Sequence, residues 1–247
     1  MWAFRIASVA AVVGLCTVVA LVARSVSVHV RTAPPAPASP PASSATASAP
    51  ASTAAVAAQV DPDALKGAAF VGNSCVDVLH SYGIVPEADF FARTGLTVTE
   101  AFKKPVINGQ VPVLEELKRD KRYTKVFLMF GENELGWSTD SAFTDGYAKV
   151  IQSVRASQPE AGIYVQSILP VSKAVSDKNE DNTNNARIDQ FNEMLEDLCT
   201  EQQVTYVDVH SQFLQADGSL VDGISTDGIH FNKAGCQKWV DYLRASC

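Results

Sequence analysis

From Ala68 onward, short apolar runs alternate with longer stretches whose apolar positions recur at helical spacing. The first run, Ala69 to Val71, passes through Gly72 and Asn73 into a helix expected over Ser74 to Tyr82. A second strand is expected at Asp89 to Ala92, a short helix at Val111 to Asp120, and a strand apolar on both faces at Lys125 to Phe130. An amphipathic helix follows from Ser141 to Ser157, ended by the Gln158-Pro159 step. Then come a strand at Ile163 to Leu169, a helix from about Ala186 to Thr200, and a last strand at Thr205 to Val209. Between the fourth strand and that helix, Pro170 to Asn185 forms a polar loop too long for a simple connection. The closing helix opens at Asn232 or Lys233 and carries Trp239, Tyr242 and Leu243. This alternation predicts an α/β fold of three layers, with a mostly parallel five-stranded sheet covered by helices on both faces. In such sheets ligands bind outside the carboxyl ends of the strands.

The first quarter of the chain has a different character. Ile6 to Ala23 carries no charge and is just long enough to cross a bilayer as a helix. It exceeds the usual apolar region of a signal peptide, and Arg24-Ser25-Val26-Ser27 offers no good small-residue cleavage site, so it reads as an uncleaved anchor, with secretion after cleavage as the alternative. A lipoprotein reading of Cys16 is weak, because Leu15 precedes it where a small residue is expected and apolar residues continue beyond it. Thr32 to Ala58 is almost wholly Ala, Pro, Ser and Thr and holds half of the chain's prolines, a composition that cannot bury a core. The expected organisation is an anchor with its flanks at 1–31, a linker at 32–60 and one folded domain at 61–247. A stalk behind an anchor suggests a domain held outside the cell membrane. Net charge is −7, and no basic cluster is interleaved with aromatics, which argues against a nucleic-acid partner.

The Gly72-Asn73-Ser74 turn places a serine where a strand feeds a helix N-terminus, with unpaired N–H groups above the sheet. Taken alone, Ser74 is better explained as a helix N-cap. As a nucleophile it needs a base within hydrogen-bond reach whose tautomer a third group fixes. His230, three residues after Asp227, offers that pair. His210, at the end of the last strand, is a lesser candidate; His80 lies in the first helix and His29 ahead of the folded domain.

Three further stretches complete a pattern with Gly72-Asn73-Ser74: Gly95 after the second strand, Gly131-Glu132-Asn133-Glu134 after the third, and Asp227-Gly228-Ile229-His230 near the end. In order and spacing these resemble the four blocks of the SGNH (GDSL-type) hydrolase superfamily, in particular bacterial extracytoplasmic esterases. The resemblance runs from about Ala68 to the C-terminus. It implies an SGNH/flavodoxin-like fold and a serine esterase with Ser74 as nucleophile, His230 as base and then acid, and Asp227 orienting His230. It further assigns the oxyanion donors to the backbone N–H of Ser74, the backbone N–H of Gly95 and the side-chain amide of Asn133. Two positions depart from the family pattern: Asn73 stands where Asp is usual, and Glu134 where Asp is often found.

The implied substrate is an acyl ester. An anchor and stalk favour O-acetyl groups on surface or cell-wall glycans, with Trp137 and the Pro170–Asn185 loop bordering the site. The same acyl-enzyme could serve an O-acyltransferase, and a non-catalytic glycan-binding module is the reading from another class. No cluster of His, Cys and carboxylates has metal-ligand spacing, and no cofactor is expected. Beyond the anchor there are four cysteines, Cys75, Cys199, Cys236 and Cys247. Since Cys236 and Cys247 lie too far apart on one helix to bond, two disulfides would each join one of them to Cys75 or Cys199.

Overall fold

A computed structural model describes residues 61–247 except 107, 108 and 120. The expected anchor helix and linker therefore lie outside the described residues. Five strands are present: β1 (Ala68–Gly72), β2 (Asp89–Ala92), β3 (Lys125–Met129), β4 (Gly162–Gln166) and β5 (Thr205–Val207). Six α-helices connect and follow them: α1 (Ser74–Ser81), α2 (Val113–Leu117), α3 (Asp140–Ser157), α4 (Lys173–Lys178), α5 (Asn185–Gln202) and α6 (Lys233–Ser246). The sheet order is β2-β1-β3-β4-β5, and every pairing is parallel.

Alternation along the buried strands sorts the core into two layers. Ala69, Val71, Val126, Leu128, Ile163 and Val165 face α2, α3 and α5, which contribute Leu114, Phe143, Tyr147, Ile188 and Phe191. The residues between them, Ala68, Phe70, Phe127 and Met129, face α1 and α6, which contribute Val76, Leu79, Trp239 and Leu243. Phe70 stacks between Phe90 and Phe127, and Phe127 stacks in turn on Tyr164, so one aromatic row crosses four strands on that face. The three-layer α/β expectation holds, with the sheet parallel throughout.

Several boundaries differ from the periodicity. The fourth strand ends at Gln166 because the chain turns away there: the Ile168 amide and carbonyl bond the buried Asn192 side chain instead of continuing the ladder. The fifth ends at Val207, where the Val209 N–H closes a tight turn on the Val207 carbonyl. The Pro170–Asn185 stretch is not a plain loop. It holds α4, capped by Ser172, and a 3₁₀ turn at Glu180–Asn182 whose entry and interior use left-handed Asn179 and Asp181.

Among the described residues, all four cysteines are free thiols. The sheet separates Cys199, packed on the α5 side, from Cys75, Cys236 and Cys247 on the α1/α6 side, so the expected bridges to Cys199 cannot close. On the α1/α6 side, Cys75 Sγ donates instead to Glu132 and Cys236 Sγ to the Phe231 carbonyl.

In this strand order the chain leaves β1 for one neighbour and later returns on its other side. Such a switch point opens a crevice above the carboxyl ends of β1 and β3. Gly72 makes the approach possible: a Cβ there would sit 2.4 Å from the Met129 carbonyl oxygen and 2.7 Å from Val76 Cγ2. Gly72→Ala must push backbone apart at the root of the crevice. It is expected to cost about 1–3 kcal/mol or more, measured as a loss of urea-unfolding free energy against wild type.

Candidate active site

The turn after β1 begins with Asn73, buried to 1 % exposure, whose Oδ1 accepts from Cys75 N at 3.1 Å. Asn73 is thus the N-cap of α1, and Ser74 is the first helical residue rather than the cap. The replacement of the usual Asp leaves the turn intact, because capping needs only the oxygen that Asn retains.

Ser74 meets His230 across 156 residues of chain, with Oγ 2.9 Å from Nε2. On the other side of the ring, His230 Nδ1 lies 2.7 Å from Asp227 Oδ2. The carboxylate is an acceptor only, so Nδ1 carries the proton toward it and Nε2 is free to accept from the serine. Asp227 is itself fixed: Oδ1 accepts from the backbone N–H groups of Ile229 (2.9 Å) and His230 (2.8 Å) and from Ser225 Oγ (3.1 Å). Partial burial works against its charge. The His230 bond and the two backbone donors prevail and hold the Asp227 carboxyl well below the usual carboxylate range.

Spacing in the sequence identified Asp227 and His230, but the support for their loop was not visible there. Ser225 Oγ accepts from Gly228 N, and the Gly228 carbonyl accepts from Ser172 N at 2.8 Å. Gly228 has φ +84°, and a Cβ would lie 2.3 Å from Ser172 Oγ, so only glycine lets the loop rest on the start of α4. The long polar stretch therefore buttresses the Asp227–His230 loop. It also reaches the third block, since Asn182 Nδ2 donates to the Leu135 carbonyl. Trp137 is half-buried and packs against the α2/α3/α5 core.

The proposed oxyanion donors come from three segments that are tied together. Arg93 N donates to the Gly72 carbonyl, joining the end of β2 to the end of β1. Asn133 Nδ2 donates to the Leu96 carbonyl at 3.2 Å, spending one of its two amide hydrogens on the Gly95 loop. Gly95 has φ +71° with open space where a Cβ would be, and among the described residues neither its N–H nor that of Ser74 has a protein acceptor.

Glu134 binds the second and third blocks more tightly. It is fully buried; Oε1 accepts from Val98 N at 2.7 Å and Oε2 from Gly131 N at 3.1 Å. Burial outweighs these donors and raises its pKa from 4.5 to about 7. The folded state then holds this proton more tightly than the unfolded chain. Its stability is greatest below the unfolded value of 4.5 and falls as pH rises to about 7, by about 3 kcal/mol in all. Glu134→Gln is expected to remove most of that slope, read from urea unfolding at pH 5 and pH 8.

The other histidines stand apart. His80 is exposed and stacks on Phe90. His210 is buried, with Nδ1 3.0 Å from the Ile168 carbonyl and Nε2 3.2 Å from Asp189, and it has no contact with Ser74. His29 lies outside the described residues. Among the described residues no group of three or more His, Cys, Asp or Glu side chains is arranged to hold a metal. None of the described helices is long and apolar enough to cross a membrane.

Known proteins share this arrangement of strands and helices. A Streptococcus pneumonia protein named for platelet activating factor superposes with TM-score 0.60 at 23 % identity, covering 73 % of this chain and 83 % of its own. An acetylxylan esterase from Geobacillus stearothermophilus, solved as a catalytic mutant, gives TM-score 0.52 at 14 % identity over 72 % of this chain and 92 % of its own. A peptidoglycan O-acetylesterase gives TM-score 0.50 at 17 % identity over 64 % of this chain and 45 % of its own. No curated protein matches the chain. At these identities the likeness speaks for the fold, whereas the sequence itself matches the GDSL-like Lipase/Acylhydrolase family over residues 67–238. Matched across most of its length, with its strand-end serine and late Asp-x-x-His loop brought into contact, the chain belongs to the GDSL-like lipase/acylhydrolase family and is an enzyme of the class that acts on ester bonds.

Proposed function

We propose that the protein is a membrane-anchored, extracytoplasmic serine esterase that removes short acyl groups, with O-acetyl esters of surface or cell-wall glycans as its substrates. The observation that carries the chemistry is the continuous chain of contacts from Ser74 Oγ through both nitrogens of His230 to Asp227. Ser74 Oγ attacks the ester carbonyl and passes its proton to His230 Nε2. Asp227, kept ionised by its donors, stabilises the imidazolium that forms. The carbonyl oxygen, now negative, is met by the N–H of Ser74, the N–H of Gly95 and the remaining amide hydrogen of Asn133. His230 returns the proton to the leaving alcohol, the acyl group stays on Ser74, and water activated by the same histidine releases it.

The anchor rests on the uncharged Ile6–Ala23 stretch and the external setting on the Pro- and Ala-rich linker that follows. The glycan ester is supported by that setting and by fold likeness to esterases named for acetylxylan and peptidoglycan. The test uses the full chain on p-nitrophenyl acetate, butyrate and octanoate, and on O-acetylated peptidoglycan and xylan with release of acetate as the readout. Turnover that favours acetate over octanoate, together with acetate release from one polymer, is the expected result. Preference for octanoate and no release from either polymer would overturn the glycan assignment. Membrane anchoring is tested separately, by whether the chain resists carbonate extraction.

A further inference from the structure

His210 takes no part in the catalytic chain of contacts. It follows β5, opens the 3₁₀ turn His210–Phe213 and is 6 % exposed. Its position is fixed: the backbone N–H donates to Ser167 Oγ at 2.8 Å, and ring Nδ1 lies 3.0 Å from the Ile168 carbonyl, which the buried Asn192 amide also engages. A carbonyl only accepts, so the proton of the neutral ring sits on Nδ1, and Nε2 presents a bare lone pair. That nitrogen is buried and has no hydrogen-bond partner. Asp189 Oδ1 stands 3.2 Å away, near enough for a hydrogen bond but off the line of the lone pair, so a proton placed on Nε2 would also point past it. The surroundings are anionic. His210 and Asp189 line a recess of about 350 Å³ together with Glu193, Glu196 and Asp208. Asp189, Glu193 and Glu196 lie at i, i+4 and i+7 on one face of α5, and Asp208 directly follows β5. No lysine or arginine lines the recess, and among the described residues none forms an ion pair with these carboxylates.

We propose that His210 Nε2 and Asp189 Oδ1 are the two protein ligands of a site for a divalent cation of the zinc type, which pins α5 to the end of β5. The distance between them fits. A zinc ion about 2.0–2.1 Å from an imidazole nitrogen and about 2.0–2.2 Å from a carboxylate oxygen, at a tetrahedral angle, holds the two ligand atoms about 3.3 Å apart. The oxygen then stands to one side of the lone pair, because the lone pair points at the ion and not at the oxygen. The bond from Nδ1 to the Ile168 carbonyl is the outer contact that a metal-binding imidazole usually makes, and it selects the tautomer with Nε2 free. A nitrogen ligand favours zinc over magnesium or calcium, which take oxygen. Glu193, Glu196 and Asp208 add negative charge to the recess rather than direct bonds, since no three of these side chains are arranged around one ion. Water completes the shell. The recess shares no residue with the Ser74–His230–Asp227 chain, so this inference stands apart from the esterase reading.

The experiment titrates the full chain with zinc chloride at neutral pH by calorimetry and follows the melting temperature alongside, for wild type, His230→Ala, Asp189→Asn and His210→Asn. His230→Ala removes the catalytic Asp–His pair as a competing place for zinc. Asp189→Asn alters a side chain that is 62 % exposed and should leave the fold intact. His210→Asn keeps a donor for the Ile168 carbonyl and deletes Nε2, and it carries the test if Asp189→Asn does not fold. The expected result is one equivalent of zinc that raises the melting temperature, is kept by His230→Ala, and binds at least about tenfold more weakly in Asp189→Asn and in His210→Asn. Absence of saturable binding in His230→Ala overturns the proposal, as does unchanged affinity in a folded Asp189→Asn or His210→Asn. Calcium that displaces the zinc at equal concentration overturns it too, because the acidic recess alone would then account for binding and the nitrogen would be no ligand. None of these readouts needs turnover, so an inactive wild type would count against the esterase reading and leave this result untouched.

Discussion

Ser74→Ala and His230→Ala are each expected to lower kcat on p-nitrophenyl acetate to a small residual, a fall of about 10⁴–10⁶, and their double variant to fall no further. The two residues act as one unit. Without the hydroxyl there is nothing to acylate, and without the ring the 2.9 Å contact that takes its proton is gone. Asp227→Asn tests the third member differently, because the amide keeps the shape but offers Nδ1 a donor in place of an acceptor. It favours the wrong tautomer, and a loss of about 10⁴ is expected. Asp227 also accepts two backbone N–H bonds through Oδ1, which the amide oxygen can still take. The variant should therefore fold like wild type, a point for circular dichroism to check. Near-wild-type turnover in folded Ser74→Ala would end the assignment of Ser74.

Asn133→Ala is the next largest expected effect, about 10²–10³ in kcat with KM little changed. The amide hydrogen left free by the Leu96 bond is the one neutral side-chain donor of the proposed oxyanion site. Its partner donors are backbone groups, which substitution by any residue other than proline leaves in place. Asn133→Ala also cuts the tie to the Gly95 loop, so part of the loss could come from a displaced Gly95. Asn133→Asp separates the two contributions. It keeps the size but replaces donor with acceptor, and it sets a negative charge against the oxyanion. Expected turnover is at or below that of Asn133→Ala. An Asp variant more active than the Ala variant would mean that the residue works through packing alone. The stability slope of Glu134 is the companion measurement, because that carboxyl holds the same two segments together through Val98 and Gly131.

Much of this could be read from the chain because the relevant forces are local. Strand-forming apolar runs and helical periodicity gave the right elements in the right order, and parallel crossovers admit few topologies. The Gly72-Asn73-Ser74 turn and the Asp227–His230 loop are each built within a few residues, so spacing was enough to pick them out. Errors fell where distant groups take over backbone bonds. The fourth strand stops short because Asn192, 24 residues later, claims the Ile168 amide and carbonyl. The Pro170–Asn185 stretch looked like solvated loop because its purpose, to seat Gly228 on Ser172, depends on a partner more than fifty residues away. The cysteine count admits two bridges, and nothing local shows that a sheet stands between Cys199 and the rest.

By itself the sequence determined the α/β class, the chain order of serine, glycine, asparagine and Asp-x-x-His, and the sites where turns must carry glycine. These follow from propensity, periodicity and turn chemistry, which act over a few residues. Only the tertiary structure decided that His230 rather than His210 meets Ser74 and that Glu132 lies against Cys75. Each of these is a contact between or across elements. Its outcome depends on strand order and on which buried polar group finds a partner first, and that is a property of the packed whole.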